Sequence, residues 1–200
     1  MKKYLLAILF CLVSVNAQAK IIQGKDYKAL TSHHATHTKS VEVLEFFSYT
    51  CAHCFQMSLK MDAVKWPSYV KLRRIQVMWG EPFEELMRLL ATMEKMGKTS
   101  VLHHRIFKAI LEQGVMLYQK DILFDWIKKQ PDINFKQFVG YYNSPAASAL
   151  SNYYAQQTKA YAIDTLPTII VGGKYLVLYS SHTHMVAVTR ELIAKVLTKK

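Results

Sequence analysis

An apolar segment that ends in a cysteine pair most limits the folds open to this 200-residue chain. The segment VEVLEFFSY, residues 41–49, is rich in β-formers and almost continuously apolar, as a strand buried on both faces is. From Cys51 to Trp66 the sequence contains neither glycine nor proline and predicts a helix that is stopped at Pro67. The cysteine pair therefore lies where a buried strand gives way to a helix.

The rest of the hydrophobic pattern predicts an α/β protein with a helical insertion. Residues 21–30 indicate a short strand with a turn, and residues 69–79 indicate a further strand after the first helix. Residues 82–162 show helical spacing without a strand pattern, so they form an all-helical block. Residues 168–179 contain two short apolar runs around Gly172–Gly173, which is typical of a hairpin, and an amphipathic helix follows.

The first nineteen residues are predicted to be a secretory signal peptide. Lys2 and Lys3 precede an apolar run, and a stretch of small residues ends in an A-x-A pattern at Ala17–Ala19. The alternative is a membrane anchor, but the apolar run is shorter than the roughly 20 residues that a spanning helix needs. Cleavage would start the mature chain near Lys20 and remove Cys11. Two neighbouring cysteines then remain.

Charge and length exclude some classes of protein. The formal net charge of +12 falls to +10 when Lys2 and Lys3 are removed, and such a balance favours acidic partners or anionic surfaces. The lysines are scattered, however, and no RNA-binding or zinc-finger spacing is present, so we expect no nucleic-acid partner. The roughly 180 mature residues are enough to bury a core without disulfides or metal.

The cysteine pair has the placement of a working dithiol. At a helix N-terminus the positive end of the helix dipole favours the thiolate of Cys51, and His53 adds to this when it is protonated. Cys54, one turn further along, is suited to resolve a mixed disulfide. A favoured thiolate raises the free energy of the disulfide form, which indicates an oxidant. A structural disulfide would instead close a longer loop.

VEVLEFFSYTCAHCFQM, residues 41–57, is similar to the active-site segment of the DsbA family of periplasmic thiol:disulfide oxidoreductases. Residues 24–30 and 165–177 resemble the amino-terminal strand and the proline-loop strand of that family. The resemblance implies a thioredoxin-like fold with an inserted all-helical domain. The expected bounds are 20–81 and 163–200 for the thioredoxin-like domain and 82–162 for the insertion.

The same resemblance implies roles for individual residues. Cys51 would be the nucleophile and Cys54 the resolving thiol, while Leu166–Pro167 would form a cis-proline loop beside the sulfur atoms and bind an extended substrate. The family usually has Pro-His between the cysteines, whereas this chain has Ala52–His53. Alanine restores a backbone N–H and loosens the turn, in the part of the motif that tunes the reduction potential. No cofactor is implied, because the disulfide itself carries the two electrons.

Glu45 is the acidic misfit of the apolar strand and has two interpretations. It is either a buried carboxylate that relays a proton to or from Cys54, with Arg74 nearby, as the matching family position implies, or a solvated acid at an edge. Val43 and Phe47 lie on the same face of the strand, which favours burial.

The resemblance also implies partners and a location. Reduced exported polypeptides would be the substrates, the location would be the periplasm, and a quinone-linked membrane protein of the DsbB type would reoxidise the dithiol. We expect a monomer. A disulfide isomerase or reductase is the first alternative, but isomerases of this superfamily usually carry an amino-terminal dimerisation domain, and barely twenty residues precede the first core strand.

Metal binding is the second alternative, because a C-x-x-C motif supplies two soft ligands suited to copper(I) or zinc. His33, His34 and His37, or His182 and His184, could complete such a site. A structural zinc site needs a second ligand pair at recognisable spacing, and the sequence has none. The dithiol interpretation is therefore preferred.

Overall fold

A mixed sheet with helices on both faces organises the chain in the computed structural model, which describes residues 21–31, 40–80 and 83–198. Within these residues the sheet has five strands, β1 (Tyr27–Ala29), β2 (Val41–Phe47), β3 (Val70–Gln76), β4 (Thr168–Val171) and β5 (Tyr175–Val177). The helices of the same residues are α1 (Ala52–Asp62), α2 (Phe83–Lys95), α3 (Thr99–Leu111), α4 (Lys120–Lys128), α5 (Phe135–Tyr142), α6 (Pro145–Ala160) and α7 (His182–Thr198). The predicted signal peptide, residues 1–19, lies outside the described residues.

The strand order β1-β5-β4-β2-β3 determines which loops meet. β2 and β3 are parallel and joined through α1, while β4 runs antiparallel to both β2 and β5. The carboxyl ends of β2 and β5 and the amino end of β4 therefore lie at one edge of the sheet. Phe46, near the end of β2, pairs with Thr168 at the start of β4, so the residues that follow β2 and those that precede β4 are neighbours at this edge.

Each face of the sheet packs against its own set of helices. On one face Val41 and Val43 lie in an apolar cluster with residues of α1 and α7, including the predicted stripe of α7. On the other face Leu44 and Phe46 join the apolar side chains of the helical segment α2–α6. The strand that carries the cysteine pair at its end is thus buried on both sides, and the predicted α/β fold with a helical insertion is confirmed.

The helical segment occupies the chain between β3 and β4, as the sequence predicts. Its side chains share one continuous apolar cluster with the sheet, so its separation into a domain of residues 82–162 stays a prediction. In the described part of the chain, none of the helices combines the length and the apolar character needed to cross a membrane.

Two local features refine the predicted elements. α1 ends at Asp62, before Pro67, because the chain turns there and the Trp66 indole N–H donates a hydrogen bond to the carbonyl of Met61 at 3.0 Å. The hairpin turn places Gly172 at φ +59° and Gly173 at +65°. Glycine adopts these left-handed conformations without strain, and with Lys174 the two glycines form the three-residue connection between the paired residues Val171 and Tyr175.

Candidate active site

Cys51 is the residue that caps the N-terminus of α1. Its backbone is extended, and its sulfur atom accepts a hydrogen bond from the backbone N–H of Cys54 at 3.1 Å, where a cap oxygen would ordinarily stand. The side chain of Cys51 is half-buried, whereas that of Cys54 is 0% exposed. Reagents from solvent therefore meet the first thiol of the pair, as the sequence predicts.

The two thiols have opposite electrostatic tendencies. The Cys54 thiol donates a hydrogen bond to the Cys51 sulfur, and the N–H groups of Cys54 and His53 add to it, so the pKa of Cys51 falls to about 7. The same hydrogen bond, together with burial and the nearby charge of Glu45, raises the pKa of Cys54 far above its ordinary value. Near neutral pH the pair is therefore partly ionised, with the negative charge on Cys51 and the proton kept by Cys54.

His53 lies on the exposed side of α1 and faces two rings that the sequence analysis did not connect with the site. The centroid of the His53 ring is 5.8 Å from that of His182 and 6.4 Å from that of Tyr179. The topology explains this proximity, because Tyr179 and His182 follow β5, whose carboxyl end shares an edge with that of β2. The directions of β2 and β5 could have predicted this proximity, but only once the order of the strands in the sheet is known.

Glu45 is fully buried beneath the active-site helix, which agrees with the interpretation as a buried carboxylate. Its Oε2 atom accepts a hydrogen bond from Nε of Arg74 at 3.1 Å, and the two residues are paired across β2 and β3. Burial raises the pKa of Glu45, and the positive charge of Arg74 opposes this rise. Among the described residues, none gives the Oε1 atom of Glu45 a hydrogen-bond partner.

Leu166–Pro167 has a cis peptide bond, as the sequence resemblance implies. Pro167 directly precedes Thr168, which pairs with Phe46 near the end of β2, so the proline lies at the edge of the sheet where Cys51 begins α1. The structure thus brings the predicted substrate loop and the cysteine pair to the same edge.

A buried polar cluster beside the site was not foreseen from the sequence. The Tyr49 hydroxyl lies 2.9 Å from Nδ1 of His103, and Nε2 of His103 lies 2.9 Å from the hydroxyl of Ser58. All three side chains are almost fully buried, and burial lowers the pKa of His103 well below its ordinary value. The cluster joins the strand end and α1 to α3. Residues so far apart in the chain give no spacing signal that links them.

The metal-binding alternative gains no ligand set from the described part of the chain, where no group of three or more His, Cys, Asp or Glu side chains is arranged to hold an ion. Nε2 of His184 lies 3.0 Å from a carboxylate oxygen of Asp26. His33, His34 and His37 lie outside the described residues.

Comparison with known proteins gives the same family from sequence and from structure. No protein-family model matches the chain. The thiol:disulfide interchange protein DsbA of Pseudomonas syringae pv. tomato is 32% identical over 166 residues, which cover 82% of this chain and 77% of the relative. The DsbA of Burkholderia cepacia is 29% identical and covers 88% of this chain and 86% of its own length.

Solved structures of two Neisseria meningitidis oxidoreductases have the same fold. NmDsbA1 superposes with a TM-score of 0.82 at 29% identity, covering 90% of this chain and 96% of its own. NmDsbA3 superposes with a TM-score of 0.79 at 32% identity, covering 90% of this chain and 98% of its own.

A capped, half-exposed thiolate paired with a buried thiol, at the end of a central strand in this sheet, defines a thiol:disulfide oxidoreductase of the thioredoxin fold. Sequence identity and coverage specify the class further. The chain belongs to the DsbA family of thiol:disulfide interchange proteins.

Proposed function

We propose that the protein is a dithiol oxidase that donates the Cys51–Cys54 disulfide to reduced exported polypeptides in the periplasm. The observation that carries the proposal is the asymmetry between the two thiols. Cys51 is half-exposed with a pKa of about 7, while Cys54 is buried with a raised pKa. A stabilised Cys51 thiolate is a good leaving group and favours the reduced enzyme, so the disulfide is readily given away.

The reaction proceeds through two exchanges in which sulfur bonds and electrons balance. A substrate thiolate attacks Cys51 of the disulfide, forms a mixed disulfide with it and releases Cys54 as a thiolate, which takes up a proton. A second substrate thiolate then attacks the substrate sulfur of the mixed disulfide and releases Cys51 as a thiolate. Two electrons pass from the substrate dithiol to the enzyme, and the substrate keeps the new disulfide.

Glu45 supplies or removes the proton on Cys54 during these exchanges. Its buried carboxylate is close enough to raise the pKa of Cys54, and burial raises the pKa of Glu45 itself, which makes it a better proton acceptor than an exposed carboxylate. Arg74 holds the carboxylate in place from the neighbouring strand.

Substrate binding is assigned to Leu166–Pro167, at the same sheet edge as the thiols. An extended segment of an unfolded chain can pair with the backbone of Leu166 without requiring a particular sequence. Export through the predicted signal peptide, residues 1–19, places the enzyme with its substrates. A DsbB-type membrane protein that reduces quinone takes the two electrons away, and the oxidase acts as a monomer built of the two predicted domains.

The reduction potential of the Cys51–Cys54 pair, measured by equilibration with glutathione buffers, tests the oxidase proposal. We expect a value between about −180 mV and about −120 mV, the potentials of protein disulfide isomerase and of a strong DsbA oxidant. The Cys51 pKa of about 7 is less depressed than that of the strongest oxidants and equals that of thioredoxin, so we expect a potential nearer about −180 mV than about −120 mV, and the measured potential decides between oxidase and reductase. A value near about −270 mV, the potential of thioredoxin, would identify a reductase instead.

A further inference from the structure

Three rings meet beside the N-terminus of α1. His53 extends from α1, Tyr179 follows β5, and His182 is the first residue of α7. The rings of His53 and His182 are tilted by 30° at a centroid distance of 5.8 Å, while Tyr179 meets His53 at 6.4 Å and His182 at 6.3 Å, in both cases edge-on. The ring of His182 thus belongs to the surroundings of the active-site dipeptide.

One ring nitrogen of His182 is buried. Its Nε2 atom is inaccessible to solvent and receives no hydrogen bond from any of the described residues. His184, two residues further along α7, instead has Nε2 at 3.0 Å from the Asp26 carboxylate. A buried polar atom without a partner costs free energy and calls for an explanation.

The dipeptide between the cysteines lacks its usual proline in this chain. Ala52 stands where the family usually has proline, so the backbone before His53 lacks the restraint of a proline ring. The His53 side chain is exposed, and the rings of Tyr179 and His182 are its aromatic contacts across the sheet edge. Contact with these two rings restricts the orientations of the His53 imidazole, which lies two residues from the Cys51 thiolate.

We propose that His182 is a positioning residue of the active site, which orients the imidazole of His53 between the two cysteines and thereby makes the disulfide more oxidising. The inference rests on the proposed oxidase function and deepens it. It assigns to α7 a part in setting the reduction potential.

The test compares His182→Gln with His184→Gln, a matched control on the same first turn of α7. Equilibration with glutathione gives the reduction potential, and thiolate absorbance against pH gives the pKa of Cys51. We expect His182→Gln to stabilise the disulfide about tenfold, which is a shift of about 30 mV to a more negative potential, and to raise the Cys51 pKa. We expect His184→Gln to leave the equilibrium constant with glutathione within about twofold of wild type. The pKa of Cys51 should also stay unchanged in this variant. Equal shifts in the two variants, or no shift in His182→Gln, would overturn the proposal.

The route through His53 is tested by a double-mutant cycle. If His182 acts by orienting His53, the effect of His182→Gln on the potential disappears when His53 is already glutamine. An undiminished effect in the His53→Gln background would overturn the positioning role. Circular dichroism verifies that each variant is folded, and His182→Asn replaces His182→Gln if the latter unfolds. The wild-type potential tests the oxidase function, whereas differences between variants test His182, so the two failures are distinguishable.

Discussion

Nε of Arg74 lies 3.1 Å from Oε2 of Glu45, its partner across the parallel strands β2 and β3. The terminal nitrogen of Arg74 also reaches a carboxylate oxygen of Asp62 at 2.5 Å. Asp62 and Arg74 line a groove of about 650 Å³ between α1, β3, α2 and α3. The buried carboxylate beneath Cys54 is therefore linked by hydrogen bonds to a groove at the protein surface.

Glu45→Gln replaces a carboxyl group that can exchange a proton with Cys54 by an amide of the same shape that cannot. We expect thiol–disulfide exchange with a model dithiol to slow by about tenfold, below the usual range for a lost acid–base group because water can substitute in part. The pH dependence of the rate should also flatten. Unchanged turnover together with an unchanged pH profile would exclude the relay.

Glu42→Gln is the matched control for this change. Glu42 lies on the same strand, points to the opposite face and pairs with Arg73 at 3.4 Å, so its loss should leave the exchange rate unaltered.

The dependence of protein stability on pH gives a second measurement for Glu45. Because the pKa of Glu45 is raised in the folded state, its contribution is present at low pH and lost as the pH rises through that pKa. Glu45→Gln should therefore gain stability relative to wild type as the pH rises.

The two cysteines should differ when each is studied alone. Cys54→Ser leaves the half-exposed Cys51 without its resolving thiol, so incubation with oxidised glutathione should give a stable mixed disulfide detectable by mass spectrometry. Cys51→Ser leaves a thiol that is 0% exposed and has a raised pKa, and it should remain unmodified under the same conditions. Equal adduct formation in both variants would contradict the assignment of Cys51 as the nucleophile.

Ala52→Pro restores the dipeptide that is usual in the family. Ala52 is the first residue of α1, the helical position at which proline is best tolerated, so we expect the variant to fold with stability unchanged or raised by about 0.4–1 kcal/mol. The stiffer turn should make the reduction potential less negative in glutathione equilibration. A more negative potential in Ala52→Pro would contradict this expectation. It would show that alanine at this position does not make the disulfide less oxidising.

The sequence predicted the elements and the dithiol because both depend on local patterns. The apolar run of β2 and the helix that starts after Cys51 are read directly from neighbouring residues. The surroundings of the site depend on the order of strands and the packing of helices, which no local pattern contains. For this reason the sequence offers His182 only as a candidate metal ligand, and it gives no sign that His103 on α3 meets Tyr49.

The cluster of Tyr49, His103 and Ser58 should contribute to stability rather than to exchange chemistry. Ser58→Ala would leave Nε2 of His103 buried without its partner at 2.9 Å, and we expect a loss of about 1–3 kcal/mol in the free energy of unfolding by urea. Ser100→Ala, an exposed serine of α3, serves as the control and should change stability by less than about 0.5 kcal/mol.

The same cluster predicts a dependence of stability on pH. Burial lowers the pKa of His103, so the folded protein keeps this ring neutral while the unfolded chain protonates it near pH ~6.5. The stabilisation is therefore complete above about pH 6.5 and is lost as the pH falls below it. The melting temperature should fall more between pH 7 and pH 5 in wild type than in His103→Gln, because the glutamine amide can form hydrogen bonds but does not titrate. If the two proteins lost the same number of degrees, the acid sensitivity would come from groups other than His103.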